Sequence, residues 1–567
     1  MRIVPSASNT NAAGTRSAGQ AAFLRRRSLI VLAFVLLCFA AITAQLARLA
    51  LVGGTRTRTT AAEPLLHGLA RPDIVDRHGR LMATDLAVNS LYADPQLIQD
   101  LDEAIEKIAA VLPSLGEAEL RKLLADKSRR FVWVARSLSP RHAQRIHDLG
   151  LPGLAFRTEL RRVYPLGALA GHVLGAVDLD NRGLAGIERM LDDNGLVEPA
   201  KAAVRAAKPA VRLSLDVGAQ HAVAEELRLA LKQFAAAAAA GLVIDVRTGE
   251  IVAAVSLPEA DPSKPAELLD PAKLDRLIAG TFELGSIYKI LTIAMALECG
   301  IADLESIYDV RRHLSAGAHE IKDLYPQGRP LTAREIFLYS SNVGSAMLAL
   351  QAGTERQRAF LTRLGLLLAM RTEAGPVAPP QLPKAWGRTE TITIAYGHGL
   401  AVAPLQFAAA AAAVVNGGEM VVPTFLMRAG APVAAERVMS EATSASMREL
   451  MRLGVTHAAG TGRRAEAEGY GVGGKTGTAE IPGRGGYREK AVIASFLGAF
   501  PMESPRYITF VLLFEPQGTR ETAGRITAGV NAAPVTARIV ERIAPILGVL
   551  PRLVEARTPF DAPHRAQ

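Results

Sequence analysis

Between residues 28 and 47 the chain carries no charged side chain and is built mostly of Leu, Ile, Val, Ala and Phe. A helix of about 20 such residues matches the hydrocarbon thickness of a bilayer. A buried core helix would also be apolar, but Arg25, Arg26 and Arg27 directly precede the run, and no acidic residue occurs before Glu63. The positive-inside rule then places the N-terminus in the cytoplasm and the rest of the chain outside. Arg48, Arg56 and Arg58 weaken that orientation without reversing it. A cleaved signal peptide would have a shorter apolar core and an A-x-A-like site, and none ends this run. An uncleaved single-pass anchor at 28–47 is the expectation, behind a cytoplasmic tail at 1–27 whose first 24 residues read as disordered.

The remaining length sets the organisation. A chain of 567 residues implies roughly two to four domains. With 49% hydrophobic and 21% charged residues, most of it can bury a core. The net charge of +10 favours anionic partners. No Lys/Arg stripe interleaved with aromatics and no zinc-finger spacing is present, so no nucleic-acid partner is expected. Cys38 and Cys299 are the two cysteines; the first lies in the apolar run, so no disulfide, metal site or cofactor is expected from them.

Residues 62–209 read as a mixed α+β domain. Ile74-Val75-Asp76-Arg77-His78-Gly79 is a strand entering a turn, and 101–112 and 117–124 have helical periodicity. A second domain follows at 210–550, with a strand at 211–215 and a long amphipathic helix at 217–239. Two apolar runs around Arg247-Thr248-Gly249-Glu250 form a hairpin. Near the end come strands at 491–500 and 507–514 and a helix at 530–547. Strands at both ends and helices between predict an α/β domain with a largely antiparallel sheet. Residues 551–567 read as a flexible tail.

Three motifs in this second domain carry chemistry, each occurring once and in this order: Ser286-Ile287-Tyr288-Lys289, Ser340-Ser341-Asn342 and Lys475-Thr476-Gly477, with Thr478 following. Ser286 opens an apolar helical run, and residues three apart share a helix face, so Lys289 can reach its hydroxyl. Serine is a weak nucleophile that needs an adjacent base. Burial and neighbouring positive charge would let Lys289 act as that base. Ser340 and Asn342 sit at a turn between helical stretches, where the hydroxyl can relay a proton and the amide can fix Lys289. Lys475 offers charge, Thr476 and Thr478 offer hydroxyls for a peptide carboxylate, and Gly477 offers room for a substrate along the strand edge. Separately, these residues could be a helix cap and solvated surface charges; the ordered set on helix start, turn and strand is the informative signal.

With those residues in place, the sequence resembles the class B penicillin-binding proteins from about residue 71 to 547. Ile74-Val75-Asp76-Arg77-His78-Gly79, Arg162-Val163-Tyr164-Pro165 and Gly183-Leu184-Ala185-Gly186-Ile187-Glu188 are similar to that family's pedestal motifs. Phe282-Glu283-Leu284-Gly285-Ser286, Tyr339-Ser340-Ser341-Asn342 and Tyr396-Gly397-His398-Gly399-Leu400 resemble its septal, division-specific branch, the penicillin-binding protein 3 type. The resemblance implies a membrane anchor, an α+β pedestal of the dimerisation type and a transpeptidase domain of serine β-lactamase-like fold. It implies that Ser286 attacks a D-Ala-D-Ala stem peptide of peptidoglycan, with Lys289 as base, Ser340 and Asn342 assisting, and Lys475, Thr476 and Thr478 binding the substrate carboxylate. The backbone N–H groups of Ser286 and Thr478 would form the oxyanion hole. β-Lactams would acylate the same serine. A glycosyltransferase of the SEDS type and other divisome proteins are the implied partners, and the inner membrane at the septum the implied location.

Five rival readings stand beside this one. The elongation-type penicillin-binding protein 2 has the same motifs. A serine β-lactamase would be shorter and need a deacylation base, and a D,D-carboxypeptidase differs only in using water as acceptor. A catalytically silent scaffold is disfavoured by intact Ser286, Lys289 and Lys475, and a β-lactam sensor by the lack of a recognisable signalling domain.

Overall fold

A computed structural model of the chain describes residues 14–53, 69–199, 209–317, 319–428, 435–483 and 486–552. The chain divides into two compact units, Met1–Leu66 and His67–Gln567. In the first, helix α1 (Gly14–Gly53) contains the whole charge-free run. It begins 14 residues before residue 28, so the stretch expected to be disordered is helical from Gly14 onward. Ala18, Gln20, Ala21, Ala22 and Leu24 are good helix formers, and a helix once nucleated extends through such residues at little cost. Leu29, Ile30, Leu32, Phe34, Leu37 and Phe39 are each more than half exposed. Among the described residues no helix is long and apolar enough to cross a membrane.

The second unit begins with the pedestal. Strand β1 (Leu81–Ala93) is long enough to pair with two partners, β2 (Val132–Leu138) and β3 (Leu154–Val163), both antiparallel. Helices at Leu101–Val111 and Glu117–Leu124 pack on this sheet around Ile105, Ile108, Leu120 and Leu124, near the positions their periodicity predicts. Ile74–Val75 turns through Gly79 into β1 and lies parallel to Val211–Arg212, which stitches the pedestal to the domain that follows. The expected start at 62 and the residues just before 209 lie outside the described residues.

That following domain is built on one antiparallel sheet. Its strands are β4 (Ala238–Asp245), β5 (Ile251–Leu257), β6 (Gly473–Gly483), β7 (Gly486–Phe500) and β8 (Tyr507–Phe514), ordered β5-β4-β8-β7-β6. Central β8 reads Tyr-Ile-Thr-Phe-Val-Leu-Leu-Phe and is buried at every position. Uniform rather than alternating apolarity is what a strand covered on both faces requires. One face is covered by α2 (Val217–Gln233) and, from the far end of the chain, α7 (Ala532–Ile546). Toward the other lie α3 (Lys289–Glu298), α4 (Asn342–Ala352), α5 (Pro404–Val415) and α6 (Glu441–Thr456). Every residue of α5 is buried, and its six consecutive alanines let neighbours approach closely on all sides.

One element differs in extent from expectation. Helix α2 stops at Gln233, not 239, and Ala238, Ala239 and Ala240 belong to β4. Alanine is the best helix former, so the Ala235–Ala240 stretch reads as helix locally. In the fold these alanines pair with Phe514, Leu513 and Leu512 of β8, and sheet pairing overrides propensity. The helix ends at Phe234, and Ala235 takes a positive φ of 42° to reverse the chain.

Candidate active site

The three motifs meet at the edge of this sheet. Residues Gly285–Tyr288 form a single 3-10 turn that leads directly into α3, whose residues Lys289 to Ala296 are all buried. The turn is held by Gly285, whose φ is +58° and whose missing Cβ would come within 2.8 Å of Thr478 O. Ser286 thus stands at the amino end of a helix and against strand β6. Its Oγ lies 3.0 Å from Lys289 Nζ, as the spacing of three predicts.

Among the described residues, the partners of Lys289 Nζ are all oxygens and none is a carboxylate. Its Nζ donates to Ser340 O at 2.6 Å and Asn342 Oδ1 at 2.7 Å, and lies 3.0 Å from Ser340 Oγ. Ser340 reaches it with both backbone and side chain because its own φ is +57°, an uncommon conformation for a residue other than glycine. The turn is braced from behind. Asp323 accepts from Ser341 Oγ at 2.7 Å and from Val343 N at 3.0 Å, and Ser341 Oγ caps α4 by accepting from Gly344 N. Among the described residues no carboxylate contacts Lys289 Nζ. Burial, and next the charge of Lys475, push its pKa well below the ordinary 10.5, against a weaker upward pull from Asp323. Lys475, in turn, is 1% exposed and lies 3.0 Å from Ser340 Oγ. Burial alone pushes it down to about 7.

A neutral lysine amine has two N–H donors and one lone pair. Ser340 O and Asn342 Oδ1 can only accept, so they take both donors of neutral Lys289. The lone pair is left for the proton of Ser286. Ser340 Oγ, between Lys289 and Lys475, joins the two amines. The arrangement sets the Ser286 hydroxyl beside a buried amine that has no carboxylate contact among the described residues, with a second hydroxyl, Ser340 Oγ, between that amine and Lys475.

The site opens into a groove of about 1220 Å³. Ser286, Ser340, Asn342, Thr476 and Thr478 line it, whereas Lys289 and Lys475 lie behind its wall. Thr476 and Thr478 share one face of β6, as alternation requires. Gly477 needs correction. A Cβ there would come within 2.6 Å of Ser495 Oγ, 2.7 Å of Leu284 O and 2.9 Å of Ile287 Cγ2. The space it leaves is filled by the nucleophile's own turn, not held open for substrate. Sequence reasoning missed Asp323, which belongs to no motif and lies 18 residues before its partner Ser341. It also left open what Glu283 and His398 do. Glu283, three residues before Ser286, accepts from Gly399 N at 2.7 Å and Tyr487 Oη at 2.9 Å, and its Oε2 lies 3.4 Å from His398 Nδ1. That pins the 396–399 segment to the nucleophile's turn. Burial raises the pKa of Glu283, and its bonds to His398, Gly399 and Tyr487 outweigh this and hold it below the ordinary value.

The pedestal motifs converge as well. Glu188 receives Arg71 Nε at 2.6 Å on one oxygen and Arg162 Nε at 2.6 Å on the other, all three side chains being fully buried. Arg71 also pairs with Asp192 at 2.7 Å. Arg77 pairs with Glu250 at 2.6 Å, and His78 Nε2 lies 2.9 Å from Asp216, the cap of α2, so an ion pair and a hydrogen bond tie the pedestal to the sheet domain.

A sheet of this topology with a serine, two buried lysines and a hydroxyl bridge at its edge defines an acyl-transferring serine enzyme. Residues 239–541 match the penicillin-binding protein transpeptidase domain, and residues 69–193 match the penicillin-binding protein dimerisation domain. The chain belongs to the class B penicillin-binding proteins. It is 38% identical over 505 residues, 88% of this chain and 84% of the other, to the probable peptidoglycan D,D-transpeptidase FtsI of Caulobacter vibrioides. It is 29% identical over 508 residues, 85% of this chain and 84% of the other, to the peptidoglycan D,D-transpeptidase FtsI of Escherichia coli K12. Its fold is similar to that of penicillin-binding protein 3 from Mycobacterium tuberculosis, solved with aztreonam, with a TM-score of 0.65 at 24% identity over 86% of this chain and 98% of that one.

Proposed function

We propose that this chain is a septal peptidoglycan D,D-transpeptidase that works through an acyl-enzyme at Ser286. The observation that carries the reading is Lys289, buried without a carboxylate, with its two acceptor contacts in place and Ser286 Oγ 3.0 Å away. Ser286 Oγ attacks the carbonyl carbon of the D-Ala–D-Ala bond while its proton passes to Lys289. The backbone N–H groups of Ser286 and Thr478 receive the oxyanion. The C–N bond breaks, and Ser340 Oγ carries a proton to the departing D-alanine amine. An amine of a second stem peptide then attacks the ester. Its proton returns through the same groups, and Ser286 leaves with its hydrogen restored. A β-lactam enters the first half of this cycle and stops as a slowly hydrolysed ester.

The same proposal includes the organisation. Residues 62–209 are the pedestal, residues 210–550 the transpeptidase domain, and 28–47 a single-pass inner-membrane anchor with residues 1–27 cytoplasmic. The exposed apolar side chains within residues 28–47 of α1, and the three arginines just before that run, support the anchor. A SEDS-type glycosyltransferase and divisome proteins are the partners of the pedestal.

Labelling of the detergent-solubilised chain with a fluorescent penicillin tests the chemistry. Wild type is expected to carry a label that survives denaturation and Ser286→Ala to carry none; a folded wild type that stays unlabelled would overturn the reading. Depletion in the cell tests the septal assignment, with filaments expected and rounded cells contradicting it.

A further inference from the structure

Neither lysine of the site reaches the groove. Lys475 is 1% exposed, and its Nζ is taken up by Ser340 Oγ and Thr476 O. What faces a substrate on β6 is the pair of hydroxyls on Thr476 and Thr478. A hydroxyl hydrogen-bonds a carboxylate but brings no charge, and an anion in a recess needs a cation beside it.

Two arms of the fold bring cations to those hydroxyls. On the first, Thr476 Oγ1 lies 2.7 Å from Thr461 Oγ1, and two and three residues on, Arg463 and Arg464 line the groove. On the second, Ala528 N donates to Thr478 Oγ1 at 3.2 Å, and three residues before it Arg525 lines the same groove. The arms also pack on each other, since a Cβ on Gly529 would come within 2.7 Å of Thr461 O. Among the described residues Arg463 and Arg464 have no carboxylate partner, and Arg525 donates only to Thr522 O, at 3.2 Å. Glu466, on the same wall, is already paired through both oxygens with Arg452. Glu480 also lines the groove, two residues beyond Thr478 on the same face of β6, roughly 7 Å of strand from Thr478 and 14 Å from Thr476, so the three arginines outnumber it and the end at Thr476 is the more cationic. The wall at Thr476 is therefore cationic and unpaired.

We propose that Arg463, Arg464 and Arg525 form the charged half of the carboxylate-binding site, taking the anion whose oxygens Thr476 and Thr478 hydrogen-bond. This rests on the transpeptidase reading and replaces Lys475 as the counter-charge. Lys475 is left to the proton bridge through Ser340. The ligand class is a peptide α-carboxylate or the equivalent carboxylate of a penicillin.

The test is the rate of acylation at Ser286, read by mass of the adduct, for benzylpenicillin and for its uncharged methyl ester. It uses the full-length chain in detergent. Wild type is compared with the triple variant Arg463→Gln/Arg464→Gln/Arg525→Gln and with the corresponding triple Arg→Lys variant. The glutamine variant is expected to lower the acid-to-ester rate ratio at least tenfold and the lysine variant to restore most of it. Added salt should slow wild type with the acid but leave the glutamine variant unaffected. An unchanged ratio would overturn the proposal, as would an equal fall for acid and ester, which marks a structural role. The three side chains are exposed, and full labelling stoichiometry with the ester reports that the variants fold. Failure of wild type to be acylated at all is a different result: it removes the transpeptidase reading itself.

Discussion

Two places in this molecule bury positive charge, and they do it in opposite ways. In the pedestal, Arg71 and Arg162 share Glu188, and Asp192 and Asp85 add further contacts. Burial works to lower the pKa of Arg71, and Glu188 and Asp192 outweigh it, so the guanidinium is held above its ordinary value. In the catalytic domain, Lys289 and Lys475 are buried as deeply, beside each other and beside neutral oxygens. Both are pushed down. A buried cation with a carboxylate is a fixed charge that joins elements; without one it gives up its proton and becomes a base. The residue types alone do not separate the two roles. The partner does.

The comparison breaks first at Lys289. Lys289→Met should lower the penicillin acylation rate by about 10²–10⁴-fold, the range for losing a positioned base. Its thermal stability should be unchanged or raised, because an unpaired buried amine is removed. In the pedestal the outcome is reversed. Glu188→Ala leaves two buried guanidinium groups short of a counter-charge and should cost about 3–5 kcal/mol in unfolding experiments. The folded fraction should still acylate at the wild-type rate. A Lys289 variant that unfolds, or a Glu188 variant that keeps its stability, would erase the distinction.

Smaller changes sharpen it. Gly477→Ala drives a methyl group against Leu284 O and Ile287, which belong to the turn carrying Ser286. It should cost about 1–3 kcal/mol of stability and slow acylation by small and bulky penicillins alike. Selective loss with bulky ones would favour a substrate-facing role. The last change is read as a slope. Lys475 keeps its proton up to 10.5 when unfolded but only to about 7 when folded. Between those values the unfolded state binds more protons, so stability should rise with pH, by at most about 1.4 kcal/mol per unit from this group. Below that window both states are protonated and its contribution is flat. Lys475→Met should reduce the slope measured by urea unfolding, and an identical slope would contradict the assignment.

Much of the site was readable before the fold because its chemistry is local. Ser286 and Lys289 are separated by one helical turn, Ser340 and Asn342 by one residue, and Thr476 and Thr478 by one strand repeat. The strands at 491–500 and 507–514 carried their own apolar signal and appear as β7 and β8. What could not be read depends on distant parts of the chain. The cationic wall joins residues 463, 464 and 525 through contacts made by Thr461 and Ala528. Asp323 reaches Ser341 from a segment with no motif. The alanines of β4 look helical until β8 is beside them. The role of Gly477 was misassigned for the same reason, since only the fold brings Leu284 and Ile287 against it.

The protonation state of Lys289 decides whether it can be the base for Ser286, and it can be observed directly. Lysine side chains labelled with ¹³C at Cε report their titration by NMR, and Lys289→Met identifies the resonance. A Lys289 midpoint well below 10.5 is expected, with an upward shift of that midpoint in Lys475→Met, where the neighbouring charge is gone. A Lys289 resonance that stays that of an ammonium ion up to pH 10 would contradict it, and the base at Ser286 would have to be sought elsewhere.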